Sequence, residues 1–316
     1  MILEGDTSVI TAIKEKKRLL DADAPHEHIR PLLVICGGLM RGVYGGGAVT
    51  ALSDQGYGEV FDDIIGLSTG APTAAYFLAG QARLGTSIYY QECASPDFLQ
   101  GLWLRNWLRR PRHTLRNFLN IDFLQAVFTG STNKKYDAGA IFKHRTRLHI
   151  AVSTESGNAK YIRSSTEEDL QIAVVASCDV PTLNQTKYTL ESEVILDALV
   201  ASAFPTDYIT NLNPAPTHIL VMTNRPDIKP TWVQRVGDQI VFNGLFRGRC
   251  NQVVRNKFIS RFAEFDRLYA QLVAGSIPVA TVWTDNTIGS LSLDNKVLKE
   301  TAVRSEQWWL DLLHSD

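Results

Sequence analysis

Short apolar runs recur along the chain at Pro31–Cys36, Val60–Leu67, Leu148–Val152, His218–Met222 and Val279–Trp283. They are close to continuous rather than alternating, so they read as strands buried on both faces, as in a parallel sheet. Val43–Asp54 and Ala71–Ala82 read as helices, and the small residues of the second suit close packing on a sheet. The resulting order, strand, helix, strand, helix, predicts an α/β fold with a central, mostly parallel sheet between helices. Further on, Lys160–Ile162 reads as a strand paired across the turn at Ser156-Gly157-Asn158, and Glu168–Cys178 as a helix stopped before Pro181. Val194–Leu196 reads as a short strand leading into Asp197. Asn251–Val273 has the period of a long amphipathic helix, and Thr301–Leu313 reads as a terminal one. Residues 1–30 are polar, with a weakly helical Ser8–Leu20, and read as an N-terminal extension outside the main sheet. Without a repeat or a long linker, residues 31–316 read as a single domain.

Composition changes this picture only by exclusion. A chain of 316 residues with 45% hydrophobic content can bury one large core. Its net charge of −1 argues against bulk nucleic-acid binding, which needs a basic stripe. Cys36, Cys93, Cys178 and Cys250 lie far apart, without a Cys-x-x-Cys pair, which argues against zinc or thioredoxin-like chemistry and suits a reducing cytoplasm. Met1–Asp6 lacks the basic start and long apolar stretch of a signal peptide. No segment approaches the roughly 20 apolar residues that span a bilayer. One segment suggests peripheral contact: from Gly101 to Phe123, Trp103, Trp107 and several leucines alternate with Arg105, Arg109, Arg110, Arg112 and Arg116. Tryptophans beside arginines suit a lipid headgroup interface. Pro111 splits the stretch, so a pair of short helices covering the core is the competing reading.

Two glycine-rich loops carry the candidate chemistry. Gly66-Leu67-Ser68-Thr69-Gly70 matches the G-x-S-x-G elbow, in which a serine sits on a sharp strand-to-helix turn clear of the sheet. The pentapeptide alone is weak evidence, but an apolar strand enters it and a small-residue helix leaves. Gly37-Gly38-Leu39-Met40-Arg41-Gly42 also lies at a strand end, where glycines let backbone N–H groups face a tetrahedral oxyanion. A dinucleotide fingerprint would need glycine at Leu39, and no Gly-Lys-Ser/Thr phosphate loop occurs. In chain order Ser68, Asp197 and His218 could form a triad, although His218 opens an apolar strand and reads more readily as structural.

The run from Leu33 to Leu78 resembles the start of a patatin-like phospholipase domain. That family has a Gly-Gly-Gly-x-Arg-Gly loop, a Gly-x-Ser-x-Gly nucleophile and a distant Asp-Gly-Gly or Asp-Gly-Ala. The third motif maps onto Asp197-Ala198-Leu199. Ala176–Pro181, Ala203-Phe204-Pro205 and Ala151–Gly157 resemble flanking stretches, so the resemblance covers roughly residues 31–224. It implies a three-layer α/β/α fold and a lipid acyl hydrolase. Ser68 would be nucleophile, Asp197 its base, and no histidine would be needed. Gly37, Gly38 and Leu39 would supply oxyanion amides, with Arg41, Gly42, Gly66 and Gly70 as motif support. It implies a lipid or acyl-ester substrate and no metal or organic cofactor. The sequence departs from the family pattern at two places: Leu39 stands for a glycine, and Ala198-Leu199 for the glycines after the aspartate. Leu39 keeps its backbone N–H but narrows the conformations of the loop; if the positions after the aspartate need positive φ, alanine and leucine there would misplace the carboxylate, and a weakened or inactive lipid-binding protein would result.

Overall fold

The computed structural model describes residues 1–130, 133–181, 183, 187–201, 204–226 and 251–315, apart from the side chains of Leu115 and Arg116. Ala203 and Cys250 therefore lie outside the described residues. In chain order the elements are β1 (Ile2–Gly5), α1 (Ser8–Asp21), β2 (Pro31–Ile35), α2 (Gly42–Asp54), β3 (Asp63–Leu67), α3 (Gly70–Leu78), α4 (Ala82–Ile88), α5 (Leu104–Arg109), α6 (Pro111–Arg116), α7 (Ile121–Thr129), α8 (Ala138–Lys143), β4 (Arg147–Thr154), β5 (Ala159–Ile162), α9 (Glu167–Ser177), β6 (Tyr188–Leu190), β7 (Glu193–Leu196), α10 (Thr206–Thr210), β8 (His218–Met222), α11 (Gln252–Val273), β9 (Val279–Trp283) and α12 (Asn295–His314).

The strands form one sheet in the order β1-β9-β8-β2-β3-β4-β7-β6, with β5 also on β4. The central five, β9, β8, β2, β3 and β4, are mutually parallel. Both faces are covered, as an all-apolar parallel strand requires. Leu33 and Ile35 of β2 join the larger core, with residues of α1, α2, α3, α9 and α12. Leu32, Val34 and Cys36 face the other way, into a smaller core with Ile209 of α10 and Phe265, Leu268 and Leu272 of α11. The molecule is thus a three-layer α/β/α structure.

Connections from β2 lead to β3 and then β4 on one side, while β8 and β9 fill the other. The β2–β8 boundary is therefore the topological switch point, where loops at the carboxyl ends of strands part and leave a crevice.

Two expectations are corrected. Residues 1–30 do not all lie outside the sheet, because β1 pairs antiparallel with β9 and closes that edge. Four residues framed by polar neighbours give too short a pattern to signal a strand. The helix over Ala71–Ala82 is instead two, α3 and α4, separated by a turn in which Gly80 has φ +67°.

Candidate active site

Ser68 follows β3 directly and opens the turn into α3. Its φ is +51°, a left-handed value that costs an L-residue of order 1–3 kcal/mol and persists only where the surroundings enforce it. The enforcement is local. A Cβ on Gly70 would lie 2.0 Å from the Ile35 carbonyl oxygen, so only glycine lets α3 approach β2 this closely. The Ser68 N–H donates to Ser177 Oγ at 2.9 Å, and Ser177 Oγ donates in turn to the Ala151 carbonyl at 2.7 Å. Ser177, at the end of α9, thus ties the elbow to β4.

Sheet register brings the carboxylate to the serine. Leu67 is level with Ala151, and Leu196 of antiparallel β7 is level with Ser153. One further residue on each strand sets positions 68 and 197 level with Val152, on either side of β4. Ser68 Oγ donates to Asp197 Oδ2 at 2.8 Å, and the Leu199 N–H donates to Oδ1 at 2.8 Å. Asp197 is wholly buried, which raises its carboxyl pKa to about 7; the hydrogen bonds from Leu199 and Ser68 and the Arg261 charge pull it back only in part. A carboxylate held near neutrality can exchange a proton with a hydroxyl far better than an exposed aspartate.

Ala198 and Leu199 stand where the family pattern has glycines, yet neither has positive φ; with Val200 they form a short 3-10 turn. That departure therefore carries no left-handed strain. Leu39 does, with φ +50°.

The Gly37–Gly42 loop leaves β2 beside the elbow. A Cβ on Gly37 would sit 2.5 Å from Ser68 Cβ, so the loop backbone presses on the serine. Among the described residues, the N–H groups of Gly37, Gly38 and Leu39 have no hydrogen-bond acceptor. Arg41 Nε donates to the Ile288 carbonyl at 3.1 Å and the Met40 N–H to the Ser290 carbonyl at 3.1 Å, which fastens the loop to residues 286–290. Gly42 begins α2, while Gly66 lies within β3, two residues before Ser68.

Two residues of this site escape a reading of the sequence. Ser177 carries no local signal. Asn224 is buried with φ +51°, follows β8 across the switch point, and donates from Nδ2 to the Cys36 carbonyl at 2.6 Å. The cue for Asn224 is an asparagine, tolerant of left-handed backbone, at the carboxyl end of a parallel strand.

The Ser68–Asp197–His218 triad is corrected. His218 is the first residue of β8, level with Pro31, and its Nδ1 lies 2.9 Å from Thr217 Oγ1. Ser68 stands beyond the opposite end of the parallel strands, about 20 Å away at the rise of a β-strand.

A family model described as Patatin-like phospholipase matches residues 33–210. Among solved structures, VipD from Legionella pneumophila is 12% identical at a TM-score of 0.40, over 91% of this chain and 67% of VipD. The type III effector protein ExoU is 14% identical at a TM-score of 0.36, over 90% of this chain and 53% of ExoU. The chain therefore spans about two thirds of the one and half of the other. No curated protein matches it by sequence. The family match covers more than half of the chain, from the middle of β2 through the elbow to the aspartate and beyond, and the chain belongs to the patatin-like phospholipase family.

Proposed function

We propose that the protein is a serine acyl hydrolase that cleaves carboxylic esters of phospholipids or related acyl lipids through a Ser68–Asp197 dyad. The family is generally one of lipid-ester hydrolases. The observation that carries the reading is the 2.8 Å hydrogen bond from Ser68 Oγ to a fully buried carboxylate. Asp197 takes the Ser68 proton as Oγ attacks the ester carbonyl. The free amides of Gly37, Gly38 and Leu39, with the N-terminus of α3, stabilise the oxyanion. Asp197 returns the proton to the leaving alkoxide. Water then attacks the acyl-enzyme, Asp197 takes its proton and passes it to the departing Ser68 Oγ, and the carboxylic acid product leaves with the dyad restored.

The substrate comes from a membrane surface reached through residues 101–123. In α5, Leu104 and Leu108 are 72% and 76% exposed, one helical turn apart. Arg105, Arg109, Arg110 and Arg112 are exposed beside them, and no acidic residue occurs between Asp97 and Asp122. Trp103 and Trp107 are half-buried, and the Trp107 indole donates to the Gly101 carbonyl at 2.9 Å, so the leucines are the outermost apolar groups. No helix among the described residues is long and apolar enough to cross a membrane. Cys36, Cys93 and Cys178 are free and buried, which suits the cytoplasm. Residues 31–316, with β1 completing the sheet edge and α1 its core, serve as one hydrolase domain.

Hydrolysis of phospholipid vesicles and of a soluble ester by wild type, Ser68→Ala and Asp197→Asn tests the reading. Turnover should fall by at least about 1,000-fold in both variants. Equal turnover in all three would refute it.

A further inference from the structure

A partly open, predominantly apolar cavity lies behind the elbow. Leu39, Thr69 and Cys178 line one part of it. Each adjoins the candidate machinery: Leu39 belongs to the glycine loop, Thr69 follows Ser68, and Cys178 follows Ser177. Thr69, Pro72, Thr73 and Tyr76 also line the cavity. Their spacing is one face of α3, so the cavity follows that helix away from Ser68 for about 10 Å at 1.5 Å per residue. Phe128 of α7 packs edge-on against Tyr76 and lines the cavity with it.

The polar groups of the wall are already used. Thr73 Oγ1 donates to the Thr69 carbonyl at 2.9 Å and Thr86 Oγ1 to the Ala82 carbonyl at 2.9 Å. The Tyr89 hydroxyl donates to the Thr69 carbonyl at 3.3 Å, and the Tyr76 hydroxyl to the Lys134 carbonyl. Burial pushes the Cys93 and Cys178 thiols up, so both remain neutral. Among the described residues, one lining side-chain oxygen lacks a partner: the buried Oγ1 of Thr69, next to the nucleophile. A wall with satisfied hydroxyls and neutral thiols has little to offer a polar ligand. It gains free energy by covering hydrocarbon, with a polar function kept at the Ser68 end.

We propose that this cavity receives the acyl chain of the substrate, with the ester carbonyl at Ser68 and the chain running along α3 to a floor at Tyr76 and Phe128, and that it sets acyl-length preference. The assignment rests on Ser68 as the attacking residue. A staggered hydrocarbon gains about 1.25 Å per carbon, so the α3 face accommodates about eight carbons. Each methylene buried there should raise kcat/KM roughly fourfold until the floor is reached.

The test compares kcat/KM for p-nitrophenyl acetate, butyrate, hexanoate, octanoate, decanoate and laurate in wild type, Thr73→Phe and Phe128→Ala. Wild type should climb by roughly fourfold per methylene and level off near octanoate. Thr73→Phe, which plugs the cavity one turn from Thr69, should move the break to shorter chains. Phe128→Ala, which removes the floor, should move it to longer ones. A flat wild-type profile, or the same break in all three folded proteins, overturns the proposal. Calorimetric titration of octanoate into Ser68→Ala supplies a readout without turnover: binding should be present, and at least tenfold weaker in Ser68→Ala/Thr73→Phe. Octanoate binding without wild-type turnover would sink the dyad and leave the cavity assignment standing. Turnover with octanoate binding unchanged by Thr73→Phe would do the reverse.

Discussion

At Asp197, burial and hydrogen bonding pull in opposite directions, and burial prevails. With a carboxyl pKa raised to about 7, Asp197, the proposed base, is half protonated at neutrality. Ester hydrolysis, measured as kcat/KM against pH, should therefore rise about tenfold per pH unit below 7 and level off above it. The same shift has a stability consequence. Between pH 3.8 and about 7 the unfolded chain has released this proton while the native state keeps it, so this group's contribution to stability falls as pH rises across that window. The full effect is on the order of 4 kcal/mol at most. Asp197→Asn should melt above wild type at pH 8, with the gap closing as pH falls towards 4; a constant gap would show that the carboxyl is not perturbed. Ser68 is legible from sequence because the elbow needs glycines and a strand–helix junction. Asp197 is not legible from local pattern, because its partnership comes from the level of β7 on β4, which no nearby residue encodes.

Among the elements, the β2 loop and the β8 terminus form a pair. Asn224 supplies the donor for the Cys36 carbonyl and packs against Gly38 and Gly45. Asn224→Ala should lower kcat about tenfold with little change in KM, because it loosens the loop amides proposed to face the transition state, and should cost about 1–3 kcal/mol in denaturant unfolding. An unchanged kcat would deny the loop its catalytic part. The buried strands and the amphipathic α11 are readable from their periodicity, and their ends shift by only a few residues. α4 and β1 are not: Gly80 breaks an apolar run that looks continuous, and β1 shows its role only when β9 is beside it.

For the whole molecule, the parallel centre of the sheet is written in the sequence as apolar runs, but the strand order is not. That order makes the switch point and brings the Ser68, Gly37 and Asn224 loops together. The basic, leucine-tipped face of residues 104–112 should direct the molecule to anionic bilayers. Leu104→Glu with Leu108→Glu should reduce sedimentation with anionic vesicles by at least tenfold while soluble-ester turnover stays within about twofold. Equal vesicle binding would place the membrane face elsewhere. The dyad itself meets its most direct test in labelling by a fluorophosphonate, with the modified peptide mapped by mass spectrometry. The label should fall on Ser68, form at the wild-type rate in His218→Ala, and form far more slowly in Asp197→Asn. Labelling at another residue, or an undiminished rate in Asp197→Asn, would contradict the account.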